Sequence, residues 1–529
     1  MKKWISFILI AAMLFSFAGC NNTNNEGQPN SGNNTSSENS ESSGSTKDTF
    51  NFGFSGEPTT FDPSATKDSV SLLYLYQIYD RLLEQNPENP KEYIPGLATE
   101  WVFSEDSKEI TFTIREGVKF QNGELLNTED LVWALELVRN GGFTSHLNSA
   151  IDHFEKVDDT HIKVILNYPY SSILDVLSNP NYSVVNRKAW EEAQAAGKDF
   201  GREPVGSGAY QLVEWRNGTS MEFEAFADYW GGAPAIKHIK GTNISDNSSA
   251  AIALEDGTID WSYSLSKSDF AHLSELPQLQ RIEGPNVGVY HISFNCQDGP
   301  FSDLKLRQAV AFALNVDDII VAAAEGLGIP ADCFVPSTVP GYVADNNWFQ
   351  QDVEKAKQLV AEAGYPDGLT VNFGACTDGA WMAAIEIIQE QLRQIGINCE
   401  LNKMDRAAYL EDVANQMDYN ITYWAINANV CDADFVVTRR FHSSQIGQTN
   451  NFSNYANPAA DELIEAARAE LDETKRLELY SQLYAILKED LPYVPVYSGM
   501  ETTFFASGLR GVYSHPMGRY TWKNFYWAD

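Results

Sequence analysis

Eight histidines are scattered through the 529 residues, and none falls in an H-E-x-x-H or other paired spacing that would hold a metal ion. "GFSGE" at 53–57 is not G-x-S-x-G, so no serine is set on a nucleophile elbow. "VGSGAY" at 205–210 lacks the glycine spacing of a dinucleotide or phosphate loop. Asp and Glu together number 72, so adjacent carboxylates are too common to mark an acid–base pair; most belong on solvated faces. Catalysis is therefore not expected, and neither a cofactor nor a metal is implied. The residue whose setting does suggest chemistry is the single thiol of Cys20.

Lys2 and Lys3 precede an almost wholly apolar run from Trp4 to Phe17, then the small pair Ala18–Gly19. A basic start, a short apolar middle and small residues make an export signal, 1–19, too short to span a bilayer comfortably. A cysteine directly after such a pair resembles a bacterial lipobox, in which the thiol takes a diacylglycerol and becomes the new N-terminus. Residues 21–47 contain no apolar side chain and cannot offset the entropy of ordering. The stretch 20–47 is expected to be a lipidated cysteine on a coil tether, about 90 Å fully extended and nearer ~30 Å in typical span. A doubly or triply acylated residue gives stable attachment where one chain would not. The expected location is the outer face of a bacterial cell membrane.

A formal charge of −35 argues against a nucleic-acid partner, which needs basic surface. Beyond the signal there is no apolar run of membrane-spanning length. Cys296, Cys333, Cys376, Cys399 and Cys431 are far apart with no C-x-x-C, and an odd count leaves at least one thiol unpaired. Five reduced cysteines, most acting as small buried apolar groups, are expected. With 12 Trp, 24 Tyr and 28 Phe, most rings must be core, and some can line a ligand cavity.

The elements that would position a site follow from periodicity. "TFNFGFSGEPTTFDP" alternates from Thr49 and then meets Gly56 and Pro58, a strand entering a loop. Apolar spacing at Leu73, Tyr76, Tyr79, Leu82 and Leu83 predicts a helix over 70–84. Ile110, Phe112 and Ile114 alternate before an Asn122-Gly123 turn, and "HIKVILN" is a further strand. Thr128 is a candidate cap for a helix with Leu131, Leu135 and Val138 on one face. From Asp352 the pattern becomes helix, strand "LTVNFGA", helix over Ile385–Ile395, strand "INCEL", helix near 406–416, strand "YNITYW". That alternation predicts a parallel sheet covered by helices. Asn457-Pro458 and Thr474 open two final helices.

Several phrases, in order, resemble one family. They are "EPTTFDP", "IYDRLLE", "IPGLATEWVFSEDSKEITFTIREGVKFQNGELLNTEDLVWALE", "PVGSGAYQLVEW", "ISFNCQDGPFSDLKLRQAVAFALNVDDII", "EKAKQLVAEAGYPDGL" and "NFSNYANPAADELIEAA". Together, over about 50–527, they are similar to the family 5 extracellular solute-binding proteins: oligopeptide, dipeptide, nickel and oligosaccharide receptors of ABC importers. The resemblance implies an α/β, two-lobed periplasmic-binding-protein-like (type II) fold with an extra inserted domain. Residues 48–72, 188–280 and 500–529 would form discontinuous domain I, 73–187 inserted domain II, and 281–499 the α/β domain III. It implies a monomer that captures an oligopeptide between hinged lobes and delivers it to a membrane permease driven by an ATPase subunit. Gram-positive members of the family are lipoproteins, so the resemblance also implies a Gram-positive bacterium. An oligosaccharide receptor, or a ligand sensor not coupled to transport, is the alternative.

The resemblance also implies where ligand is met. The loop carrying Ser55, Gly56 and Glu57 would lie at the lobe interface, with a plain surface turn as the alternative. The strand in "YNITYWAINANVCDADF", with Tyr423 and Trp424, would form the ligand-facing edge of the second lobe. Peptide-binding relatives often place an Asp three residues after the equivalent of Trp424, to pair with the peptide's ammonium. Asn427 stands there instead, and an amide cannot neutralise a charge. The ligand could lack an amine, the register could differ, or Asp432 or Asp434 could read it. Asp432 is the expected reader, with helix capping as its alternative role.

Overall fold

The computed structural model describes residues 47–528, apart from Lys67, Glu88, 142–147, Asn346, 416–418, Asn429 and 448–449. The signal segment, Cys20 and the tether as far as residue 46 lie outside the described residues. Among those described, no helix is long and apolar enough to cross a membrane.

The first strand, Thr49–Phe54, runs parallel to His238–Asn243 on one side and to Trp261–Ser262 on the other. Phe50, Phe52 and Phe54 are buried against Trp261 and Trp522, with the Phe52 and Trp522 rings 4.9 Å apart. Fully burying such a side chain stabilises by about 1.5–3 kcal/mol, so this aromatic cluster fixes the end of the strand, where the chain turns at Ser55. The helix Ser69–Ile78 follows, capped by Asp68, whose carboxylate accepts from the Ser71 N–H at 2.7 Å. It stops well short of residue 84. Tyr79 is already extended, and Leu82 and Leu83 are buried where the chain enters the strand Leu83–Asn86.

A separate four-stranded antiparallel sheet lies within 98–166, in the order Ala98–Phe103, Glu109–Ile114, His161–Leu166, Ile151–Lys156. The helix Thr128–Arg139 packs Leu131, Leu135 and Val138 inward. Its cap is Asn127 rather than Thr128; the Asn127 side chain accepts from the Asp130 N–H.

In the second half, Leu369–Cys376 pairs in parallel with Ile397–Met404 and with Ile421–Asn427. The helices Val353–Glu362 and Gly379–Gln394 bury Ala356, Val360, Ile385, Ile388 and Leu392 beside them, the strand–helix alternation expected from the sequence. The last two helices are Pro458–Ala469 and Glu473–Asp490, the latter capped by Asp472 in place of Thr474.

All these strands, outside the four-stranded sheet and two short strand pairs, belong to one 11-stranded sheet. Its halves are joined by two long antiparallel strands, Leu279–Phe294 and Tyr493–Ala506. At one end the second of these pairs with Trp261 through Phe505. At the other end the first pairs with the strand Ile421–Asn427, from Gly288↔Asn427 to Phe294↔Ile421. Their mutual ladder is interrupted between Pro285 and Val289. There Val287 donates its N–H to the Pro516 carbonyl, and its own carbonyl accepts from the Ala428 N–H. Across this break the strand keeps Tyr493–Ala506 as its partner on one side and gains Ile421–Asn427 on the other.

Candidate functional site

A cleft of about 520 Å³ opens at this crossover. Phe54 at the end of the first strand, Ser55 just after it, Thr66, Ser69 and Tyr74 around the first helix, Asn179, Asn181, Tyr263 and Ser264 line it from the first half. Asn286, Val287 and Glu501 come from the two long strands, Asn427 and Ala428 from the second half, and Pro516–Arg519 from the C-terminal segment. The volume sits within the ~300–1,000 Å³ range of small-ligand sites.

Local sequence explains the shape. Gly499 has no side chain, and the Asn286 amide fills that space; a Cβ at 499 would lie 2.6 Å from Asn286 Nδ2. Gly288 does the same for Asn427, whose Oδ1 would be 2.7 Å from a Cβ there. Two amides therefore lie against the sheet surface at the base of the cleft. Asn181 donates through Nδ2 to the carbonyls of Pro63 and Thr66, tying its segment to the loop after the first strand.

Among the described lining residues only Glu501 and Arg519 are charged. Arg519 donates to the Tyr76 hydroxyl at 3.4 Å and lies close enough to Asp175 to affect its ionisation. Glu501 is different. Its cross-strand neighbour is Gly284, and its Oε1 lies 3.5 Å from the point where Gly518, at φ 62°, would carry a Cβ. It makes no hydrogen bond or ion pair with any described residue. Burial pushes its carboxyl up to about 7, against the opposing pull of the Lys267 ammonium. A partly desolvated carboxylate with no partner costs free energy until a cation or donor arrives.

The residues singled out by sequence are divided. Ser55 and Asn427 line the cleft. Gly56, at φ 87°, supplies the left-handed turn after Ser55 and is not among the lining residues. Glu57 turns away: its Oε1 accepts from Trp215 Nε1 at 2.7 Å and its Oε2 from the Gly218 N–H at 2.9 Å. Tyr423 is buried within the second half, its ring stacked near Tyr290, which stacks on Tyr497 at 4.5 Å. Trp424 packs edge-on to Trp381 at 4.5 Å and stacks with Tyr409 at 5.4 Å.

Asp432 is held by its own lobe rather than open to a ligand. Arg476 grips it with two nitrogens, at 2.7 and 2.5 Å, and its Oδ1 also caps the helix Ala433–Phe441 through the Asp434 N–H. Asp434 accepts from Thr438 Oγ1 at 2.8 Å and Arg468 Nε at 3.1 Å; burial raises its carboxyl while Arg468 opposes the shift. Neither lines the cleft. Glu501 and Arg519 were missed. The available signal was a lone acidic residue in the otherwise uncharged strand "YVPVYSGMETTFFA", since a charge within a buried strand needs a reason.

The five cysteines 296, 333, 376, 399 and 431 are all free, and burial pushes the thiols of Cys296, Cys333 and Cys399 up to about 12. No cluster of His, Cys, Asp and Glu among the described residues could hold a metal. A second cavity of about 550 Å³ lies wholly on the second half, by Asp345, Trp348 and Lys488. Its lysine is already bound to Asp345 and the Asn347 carbonyl.

A family model described as bacterial extracellular solute-binding proteins, family 5 middle, matches residues 92–448. A glutathione-binding protein of Salmonella typhi is 28% identical over 470 residues, covering 87% of this chain and 90% of the relative. A dipeptide-binding protein of Escherichia coli K12 is 26% identical over 496 residues, covering 88% and 91%. The solved structure of HbpA2 from Haemophilus parasuis superposes with a TM-score of 0.84 at 24% identity, over 91% of this chain and 100% of the other. The fold is thus the two-lobed type II arrangement.

Proposed function

This chain belongs to the bacterial extracellular solute-binding proteins of family 5, substrate-binding components of ABC importers and not enzymes, and from that premise we propose that its solute is a short peptide. The observation that carries the reading is one cleft at the strand crossover, largely apolar, holding a single carboxylate and a single guanidinium among its described lining residues. Opposite charges in one cavity suit a zwitterion, and main-chain recognition by amides such as Asn286 and Asn427 would ignore side-chain identity. A volume of about 520 Å³ favours a few residues over a long oligopeptide. One relative binds glutathione and another dipeptides, by their descriptions. Closure of the lobes would exclude water and strengthen the polar contacts before the solute passes to the permease.

The second part of the proposal concerns place. Cys20, acylated at the end of the signal, holds the protein on the outer face of the membrane, and the polar tether lets it reach the permease.

A thermal-shift screen with pools of di- to tetrapeptides and of oligosaccharides tests the ligand class, because a ligand stabilises by mass action. Stabilisation by a peptide pool alone is expected; stabilisation by sugars alone would replace the peptide reading. Mass spectrometry of the mature N-terminus tests the anchor. A diacylglyceryl Cys20 is expected, with Cys20→Ala released into the medium; an unmodified Cys20 or cleavage elsewhere would refute it.

A further inference from the structure

Short peptides and sugars differ most sharply in charge, and the cleft has one place to read a cation. Asp432, Asp434, Asp175 and Glu57 are each occupied by protein partners. Asp432 is gripped by Arg476, and Asp434 by Arg468 and Thr438. Asp175 accepts from the Cys431 N–H at 2.6 Å and from Gln85 at 2.8 Å, and Glu57 from Trp215 and Gly218. Asn427, where peptide-binding relatives often carry an acid, is neutral. Glu501 alone lines the cleft as a carboxylate, with glycine opposite it in the ladder at 284 and glycine beside it at 518. The missing side chain at 518 leaves room beside its carboxylate, 3.5 Å from Oε1, and no described residue makes a hydrogen bond or ion pair with it.

We infer that Glu501 binds a primary ammonium of the solute, so that the transported class carries a free amine, such as the amino terminus of a short peptide. The inference rests on the reading of this cleft as the peptide site. It shifts recognition of the amine from the second lobe to a strand that runs through both lobes. An ammonium held there is in contact with the element that joins them, where the ladder is interrupted between Pro285 and Val289. The charge-assisted bond forms in a half-desolvated setting, where it is stronger than in water and costly to leave unmade. The groups near Glu501 are Lys267, whose charge opposes the rise of its carboxyl, and the Tyr520 hydroxyl, whose own ionisation Glu501 opposes; Arg519 lines the same cleft. Cationic neighbours keep Glu501 from being a general cation trap and favour a ligand with its own carboxylate.

The test uses tripeptide pools with free carboxylates, one with free amino termini and one acetylated, titrated calorimetrically into the wild type, Glu501→Gln and Glu501→Asp. Protons released are counted in buffers of different ionisation enthalpy at pH 6.5. In the wild type, acetylation is expected to weaken binding by about 30-fold or more, the loss typical of unpairing a buried charge contact. In Glu501→Gln that gap collapses to within about 3-fold, acetylated peptides bind as they do to the wild type, and proton release disappears. Glu501→Asp keeps part of the gap. Equal binding of both pools by the wild type, or a full gap in Glu501→Gln, overturns the inference and leaves the peptide reading standing. Failure of both pools to bind the wild type overturns the peptide reading, and the inference falls with it.

Discussion

Replacing Asp432 with Asn separates the two roles that its position offers. The carboxylate holds Arg476 through two bonds, and both side chains are largely shielded, at 6% and 11% exposure. Asn at 432 keeps an oxygen for the Asp434 N–H, so the helix cap survives. What is lost is the charge facing a guanidinium whose other partners are the Tyr480 hydroxyl, the Ala467 carbonyl and Ser172. Leaving one member of a buried pair uncompensated costs about 3–5 kcal/mol. For a unit the size of the second lobe, at about 2–4 °C per kcal/mol, the melting temperature should fall by about 6–20 °C. Arg476→Met alone should be similarly destabilising, and the double variant should recover much of the loss. The assays are scanning calorimetry on the ligand-free protein and the ratio of affinities for free and acetylated peptides, measured at a temperature where the variant is folded. The ratio should stay at the wild-type value. A variant of undiminished stability that no longer distinguishes the two peptides would refute the reasoning and return Asp432 to the ligand.

Because burial places the Glu501 carboxyl at about 7 while the bound ammonium needs it ionised, affinity for free-amine peptides should fall up to about tenfold per pH unit as pH drops below 7. In the ligand-free protein the sign is opposite: a raised carboxyl favours the folded state at low pH, and that contribution fades as pH rises through 7. Binding measured from pH 5 to 8 should lose its acid limb in Glu501→Gln. Asp175→Ala removes the acceptor for the Cys431 N–H and for Gln85, so the ligand-free protein should lose about 1–3 kcal/mol of stability, read as a lower melting temperature by scanning calorimetry. The five thiols, free and mostly buried with raised ionisation, should react with a disulfide reagent at pH 8 far more slowly in the native protein than in denaturant, and reducing agent should leave the melting curve unchanged.

The second lobe was legible because its helices carry clean apolar stripes and end at glycines such as Gly364 and Gly396, both at positive φ. Errors came where neighbouring residues compete for one role. Asn127 and Thr128, or Asp472 and Thr474, are all good caps, and only backbone geometry chooses. The apolar spacing at Tyr79, Leu82 and Leu83 imitates a helix because a buried loop and strand need apolar residues as much as a helix does. The boundaries expected at 280/281 and 499/500 fall inside the continuous strands Leu279–Phe294 and Tyr493–Ala506, whose periodicity carries no mark of a domain change. Ser55 and Asn427 reached the cleft through family resemblance. Glu57 and Asp432 did not, because a carboxylate's nearest partner, here Trp215 or Arg476, comes from distant sequence. Glu501 was visible as an isolated charge in an apolar strand, yet its lack of a partner appears only once its distant neighbours, Gly518 among them, are seen beside it.

The most direct measurement is a crystal structure of the protein with the solute it carries when purified from its own cells, that solute identified by mass spectrometry. A short peptide should occupy the cleft between Ser55, Asn286, Asn427 and Arg519, with its ammonium within hydrogen-bond distance of Glu501. A solute without an amine, or one seated in the second-lobe cavity by Trp348 and Lys488, would contradict it.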